Sequence, residues 1–431
     1  MKKPIFFLIS IFMCFGAFAQ DENTYRFTSA EIEAIFLQQN LQLIAERMNI
    51  SLADAEIVQA KLWKNPTLEI SDVNLWSTKS QRDGESFPPL FGSFGRNTQF
   101  SVELSQLIQT ANKRGKLVAR ERVSKEIAIQ EFEVVLQGLK LELRKSISEI
   151  SYLQNYLVVL DKQEEAINKL VESYKRQVQK GNIAKAELFR LQSSLLEVEN
   201  ESNETKVDLN EQIKTLKALL SIDPLVNIKI VGKQSRLVEP DALSLPVLLL
   251  QTIDHKADVK LSRLQTKLAD KSLAYEKSQR APDVTVSANY DRFGGIWKDF
   301  IGFGVSIDLP VFNRNQGGIK AARITQTQSQ YLERQQINEA QHEVVEAYNN
   351  YLQAYNFHDK VCANDFITEL DDMLEAYSKN LLNRNISMLE YIDFVESYQS
   401  TKQTVLEAQK NMQIQFEELQ YRIGKDLNLA L

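Results

Sequence analysis

The chain has 431 residues, 43% of them hydrophobic and 25% charged, which is long enough for two or three ordinary domains and lies outside the disordered class. Only 15 Gly and 9 Pro leave few turns, so the elements must be long, and a large α/β enzyme with a turn after every strand is disfavoured. A formal net charge of -6 argues against a nucleic-acid surface, and 2 Cys with 3 His are too few for a Cys/His metal cage or a disulfide framework.

At the N-terminus, Lys2 and Lys3 precede an apolar run from Ile5 to Phe18, followed by Ala17-Phe18-Ala19. A basic start, a short apolar core and small residues before the cut describe a secretory signal peptide over residues 1–19. The run is shorter than the roughly 20 residues of a spanning helix. Lipidation at Cys14 is disfavoured, because Ile11-Phe12-Met13 is a poor approach to it. The remainder holds no apolar run near 20 residues, so an exported chain of this kind must use strands to enter a membrane.

The rest of the chain reads as two tandem repeats. At an offset of 203, Phe100-Ser-Val102-Glu-Leu104 matches Phe303-Gly-Val305-Ser-Ile307, Gly115 matches Gly318, Tyr174 matches Tyr377, Asn182-Ile183 matches Asn385-Ile386, and Asp223 matches Asp426. Upstream the offset becomes 216, pairing Pro66 with Pro282; the extra residues fall in the turn-rich stretch 77–97. The expected organisation is a first repeat over 20–223, a linker over 224–246 and a second repeat over 247–431.

Each repeat reads as helix, two strands and a long helical stretch. Strands are expected at about 67–76, 98–107, 283–292 and 300–309. Ile301, Phe303, Val305 and Ile307 alternate with Gly302, Gly304 and Ser306, and Val284, Val286, Ala288 and Tyr290 alternate with Thr285, Ser287 and Asn289. The first strand changes phase between Ile70 and Val73, as a bulge would make it do. Trp76, Tyr290, Phe293, Trp297 and Phe300 cluster near strand ends; such aromatics fit a sandwich core or a membrane-interface girdle, and the signal peptide favours the girdle. Helix is expected from Asn112 to about Lys180 and from Gly317 to about Asn383, with apolar stripes Leu136-Leu139-Leu143-Ile147-Ile150 and Val344-Ala347-Tyr351-Ala354-Phe357. Four strands cannot close a membrane barrel, which needs at least about eight. Open edges are not tolerated in lipid, so a barrel requires several chains; three would supply twelve strands.

With these features in hand, the sequence resembles the TolC family of outer-membrane efflux channels. The signal peptide, the two repeats and the junctions Lys64-Asn65-Pro66 and Arg280-Ala281-Pro282 carry the likeness. The run Leu309-Pro-Val-Phe-Asn-Arg-Asn-Gln-Gly-Gly-Ile-Lys-Ala-Ala322 is similar to the cobalt-zinc-cadmium (CzcC-like) subgroup; Ala111-Asn112-Lys113-Arg114 stands where the family usually has Gly-Gly-Lys-Arg. The resemblance implies a mostly α fold with a small β part: a homotrimer whose twelve-stranded barrel lies in the outer membrane of a Gram-negative bacterium and continues as an α-helical periplasmic tunnel. It implies passive conduction in a tripartite efflux system, with a periplasmic adaptor protein and an inner-membrane pump of the resistance-nodulation-division type, without catalysis or cofactor. The subgroup likeness implies divalent heavy-metal cations as cargo, with drug export and type I protein export as alternatives. A periplasmic coiled-coil scaffold is the reading from another class.

The resemblance also assigns residues. Adaptor-contact tips fall on Gly181, Asn182 and Ile183 and on Arg384, Asn385, Ile386 and Ser387. Arg384 stands where the family has Gly, so the second turn is expected to be tighter or re-routed. Glu390 and Asp393 match the positions of an acidic periplasmic gate, with Glu187 as the first-repeat counterpart; a spacing of three puts Glu390 and Asp393 on one helix face. His255, His342 and His358 are not in ligand spacing with one another, and no metal site of the protein's own is expected. No phosphate loop, GxSxG or HExxH run is present, so no enzyme is expected.

Overall fold

The computed structural model describes residues 24–74, 99–232, 237–292, 299–364 and 366–427. The signal peptide, the stretch 77–97, Trp76, Phe293 and Trp297 lie outside the described residues. The chain divides into two compact units. The hairpin unit takes Met1–Asn40, Glu142–Leu237 and Phe357–Ile414; the strand unit takes Leu41–Leu141, Val238–Asn356 and Gln415–Leu431.

In chain order the elements are β1 (Thr24–Phe27), α1 (Ser29–Gln39), α2 (Leu41–Lys61), β2 (Thr67–Asn74), β3 (Gln99–Ile108), α3 (Lys113–Gln179), α4 (Lys185–Leu220), β4 (Asn227–Ile230), α5 (Leu245–His255), α6 (Ala257–Ser278), β5 (Val284–Asp291), β6 (Phe300–Ile307), α7 (Gln316–Cys362), α8 (Phe366–Leu382) and α9 (Met388–Ile423). The protein is mostly helical with a small β part.

The strand unit holds an antiparallel sheet in the order β2-β3-β5-β6. Between Ser71 and Asn74 the β2–β3 register shifts, and Asp72 adopts φ 55. That bulge is the physical source of the phase change in the sequence. Away from the sheet, Tyr351 is fully buried, packs its ring at a tilt against Phe416 with centroids 5.2 Å apart, and donates its hydroxyl proton to the Val238 carbonyl at 2.6 Å.

In the hairpin unit, α3 with α4 and α8 with α9 pack around one apolar core. Leu160, Ile167 and Leu170 on α3 meet Leu191 on α4, Leu374 on α8, and Tyr391 and Tyr398 on α9. Beside this core, Thr28 caps α1 and Glu31 reaches back to the Thr28 backbone, a reciprocal capping box. The Asn40 side chain then donates to the Leu219 carbonyl at 2.8 Å.

Three sequence expectations need correction. Six strands form among the described residues, because β1 pairs with β4 in parallel. β4 lies in the stretch read as a linker; four-residue strands are too short for period two to register. The stretch from Gly317 to Asn383 is not one helix: α7 stops at Cys362, where the Asn364 side chain caps the Lys360 carbonyl at 2.8 Å. Asparagine competes with the backbone for such bonds, a stop signal that a search for Gly and Pro overlooks. Finally, the stripe ending at Phe357 turns outward; Val344, Ala347 and Tyr351 are buried, while Phe357 is 49% exposed.

Candidate functional site

Two features of the described residues can do something beyond hold the fold: a pair of helix turns in the hairpin unit and one face of the sheet in the strand unit.

The turns are built alike. After α3, Gly181 takes φ 74, its N–H donates to Val178 O at 3.0 Å, and Asn182 N–H donates to Gln177 O at 3.0 Å. After α8, Arg384 takes φ 61, its N–H donates to Leu381 O at 3.1 Å, and Asn385 N–H donates to Asn380 O at 2.9 Å. Both are Schellman stops, which place their C′ residue in the left-handed region. Arg384 therefore follows the same route as Gly181, contrary to the expectation of a tighter or re-routed turn. A side chain there costs about 1–2 kcal/mol of backbone energy. Against that cost, the Arg384 guanidinium donates to the Asn182 carbonyl at 3.1 Å and ties the two turns together. Gly181, Asn182, Arg384, Asn385 and Ser387 are exposed, while Ile183 and Ile386 tuck against the core.

The three acidic residues have different surroundings. Ser387 precedes α9, and its backbone N–H and hydroxyl both donate to the Glu390 carboxylate, at 2.7 and 2.8 Å. Glu390 N–H donates back to the Ser387 hydroxyl at 3.2 Å, which closes a capping box. The backbone bond from Ser387, aided by its hydroxyl, holds the Glu390 carboxyl below the usual range. Asp393 is exposed, and its carboxylate makes no hydrogen bond or ion pair among the described residues. Glu187 occupies the matching third position of α4, but its N-cap is Ala184, which makes no side-chain cap. Glu187 is half-buried near Tyr174, whose phenol is pushed up by burial and then by the Glu187 carboxylate, with Arg384 opposing. Tyr174 and the link from Arg384 to Asn182 were not singled out in the sequence; the Tyr174–Tyr377 match at the repeat offset was the available signal.

The sheet presents one continuous apolar face. Ile70, Val102, Tyr290 and Ile301 stand in one cross-strand row, and Leu68, Leu104, Ala288 and Phe303 in the next. This face is open: Phe303 is 87% exposed and Val305 70%. The opposite face carries Glu69, Glu103, Asn289 and Gly302 in register. Strands β2 and β6 have no further strand partner among the described residues. At the β3–α3 end, Lys113 is buried and pairs with Asp283 at 2.7 Å. Tyr290 and Phe300 sit at strand ends, and Phe300 is 48% exposed.

The run after β6 has a clear structural task. Asn315 takes φ 54, and its side-chain amide donates to the Glu276 carbonyl at 3.0 Å and carboxylate at 2.6 Å. A Cβ on Gly318 would stand 2.4 Å from Asn315 Oδ1, so only glycine leaves room. Asn112 and Gly115 repeat the device: Asn112 takes φ 54, and a Cβ on Gly115 would stand 2.2 Å from its Oδ1. Asn-x-x-Gly thus starts both long helices.

The described residues thus combine an open-edged antiparallel sheet that has an exposed apolar face with long helical hairpins. Known proteins share this arrangement. Residues 35–221 match the family described as outer membrane efflux protein. The fold is shared with the transmembrane channel CusC, at 16% identity, TM-score 0.70 and 96% coverage of both chains. It is shared also with the Campylobacter jejuni CmeC outer membrane channel, at 14% identity, TM-score 0.74, and 92% of this chain against 85% of that one. The outer membrane protein VceC of Vibrio cholerae matches at 16% identity and TM-score 0.72, with 93% and 97% covered. No curated protein matches the sequence.

Proposed function

We propose that the chain is the outer-membrane exit duct of a tripartite efflux system. The exposed apolar face across β2, β3, β5 and β6 carries this reading, because such a face is stable against lipid and costly against water. The strands run 8–10 residues, close to the ~9–11 of a tilted membrane strand. Two open edges call for more copies, and three copies would supply twelve strands, the number that the family resemblance implies. The homotrimer inserts in the outer membrane of a Gram-negative cell and conducts passively. A periplasmic adaptor meets the tips Gly181–Ile183 and Arg384–Ser387, and a resistance-nodulation-division pump in the inner membrane supplies the energy. Asp393, with Glu390 three residues before it and Glu187 as the first-repeat counterpart, lines the periplasmic gate and favours cations. The likeness of Leu309–Ala322 to the cobalt-zinc-cadmium subgroup supports divalent heavy-metal cations as cargo. Since that run starts a helix, selection among cargoes belongs to the pump.

The test is native mass after extraction of the membrane fraction with mild detergent. A trimer that needs detergent is the expected result. A monomer that stays in solution after a salt or alkali wash would remove the shared barrel and leave a periplasmic helical scaffold.

A further inference from the structure

Helix α7 ends on Cys362, an exposed free thiol, and His358 lies one turn earlier on the same face. His358 Nε2 stands 3.4 Å from Cys362 Sγ. A zinc-type ion binds imidazole nitrogen at about 2.0–2.1 Å and thiolate sulfur at about 2.3 Å, and a tetrahedral angle between those bonds sets the two donors roughly 3.5 Å apart. The pair therefore already has the donor separation that a single ion requires.

There is open space on the His358 side. His358, but not Cys362, forms part of the wall of a cavity of about 590 Å³ within the hairpin unit, whose other walls include Ser151, Asn155, Gln413 and Lys410. Serine, asparagine and glutamine side chains hold water by hydrogen bonds, and water can fill the remaining coordination positions. Among the described residues no group of three or more His, Cys, Asp or Glu is placed to hold a metal, so a protein cage is not formed. Asp359 contributes negative charge beside both donors, while Lys410 on the cavity wall opposes it.

We propose that His358 and Cys362 form a bidentate surface site for a thiophilic transition-metal cation of the zinc or cadmium type, completed by water. Thiolate and imidazole select such ions over magnesium and calcium, which prefer oxygen. Binding converts the thiol to a metal thiolate and releases one proton to solvent; no electron is transferred. The ion clips the last turn of α7 where Asn364 ends it. The site stands apart from the cargo reading, since it follows from the two side chains and needs no efflux.

The experiment titrates the full chain, purified from membranes in detergent and kept reduced, with Cd²⁺, reading thiolate-to-metal charge transfer in the ultraviolet. One equivalent per chain is expected. Cys362→Ser removes the signal. His358→Gln weakens binding by about tenfold or more, as even outer-shell partners of a metal carry 10–100-fold. Absence of the signal in the parent chain overturns the proposal, and so does a His358→Gln chain that titrates like the parent, because the thiol alone then binds. A second measurement needs no variant: Cd²⁺ should slow alkylation of Cys362 by iodoacetamide where Ca²⁺ does not, and equal rates with both ions would equally refute the site.

Discussion

Asp371 shows how much one side chain can hold in the hairpin unit. It accepts hydrogen bonds from Lys162 at 3.0 Å and from the Tyr398 hydroxyl at 2.8 Å, and pairs with Lys402 at 3.0 Å. Burial pushes its carboxyl up, but the bonds from Lys402, Lys162 and Tyr398 outweigh that and hold it at about 2. An unfolded aspartate titrates near 3.9, so the stabilisation is complete above about pH 4 and is lost as pH falls through about 2. The side chain is 41% exposed, so solvent screening reduces the gain to roughly 1 kcal/mol. Asp371→Asn should therefore lower stability by about that amount at pH 7, and the gap to the parent should close between about pH 4 and pH 2, as measured by thermal unfolding in detergent. The acidic residues make a second prediction at this scale. Glutamine can replace glutamate in a capping box. In single-channel recordings Glu390→Gln should reduce cation preference less than Asp393→Asn does, because Ser387 turns the Glu390 carboxylate back onto the helix start. Equal effects of the two would remove the distinction drawn between a capping carboxylate and an open one. The sequence placed both acids on one face, and Ser387-Met-Leu-Glu390 carries the S-x-x-E signature of a capping box, the signal that sets Glu390 apart from Asp393.

At the scale of elements, the regular parts were the most legible. Period two marked the strand faces, because successive side chains of a strand point to opposite faces and one face of this sheet is apolar. The bulge at Ser71–Asn74 was visible as a slip of phase, and long runs with no Pro and few Gly announced the helices. What escaped was decided by single residues, as at the Asn364 stop and the Arg384 turn, or by strands too short to show a period, as in the parallel β1–β4 pair. The Asn-x-x-Gly helix starts were half legible. Gly115 and Gly318 stood out as a repeat match, while their reason, close approach to Asn112 and Asn315, needed coordinates. Gly318→Ala should force Asn315 away from Glu276 and cost about 1–3 kcal/mol, the usual range for overpacking. A lower unfolding temperature of the assembled protein would register it; an unchanged temperature would mean the start of α7 yields freely.

For the whole molecule, the duplication sets the terms. From the second strand of each half onward one offset of 203 pairs equivalent residues, and the matched bonds at Gly181–Asn182 and Arg384–Asn385 show how closely the backbone agrees there. The copies have drifted at Ala184 and Ser387. Ser387 binds Glu390 in both directions, whereas Ala184 has no oxygen to offer the first turn of α4. An N-cap serine is ordinarily worth about 1 kcal/mol over alanine. The first turn of α4 should therefore fray several-fold more often than that of α9, and its amide protons should exchange with deuterated water correspondingly faster. In an assembly built from such chains, yielding and stiff helix starts would alternate, and any breathing of that end would have the period of the chain, not of its repeats.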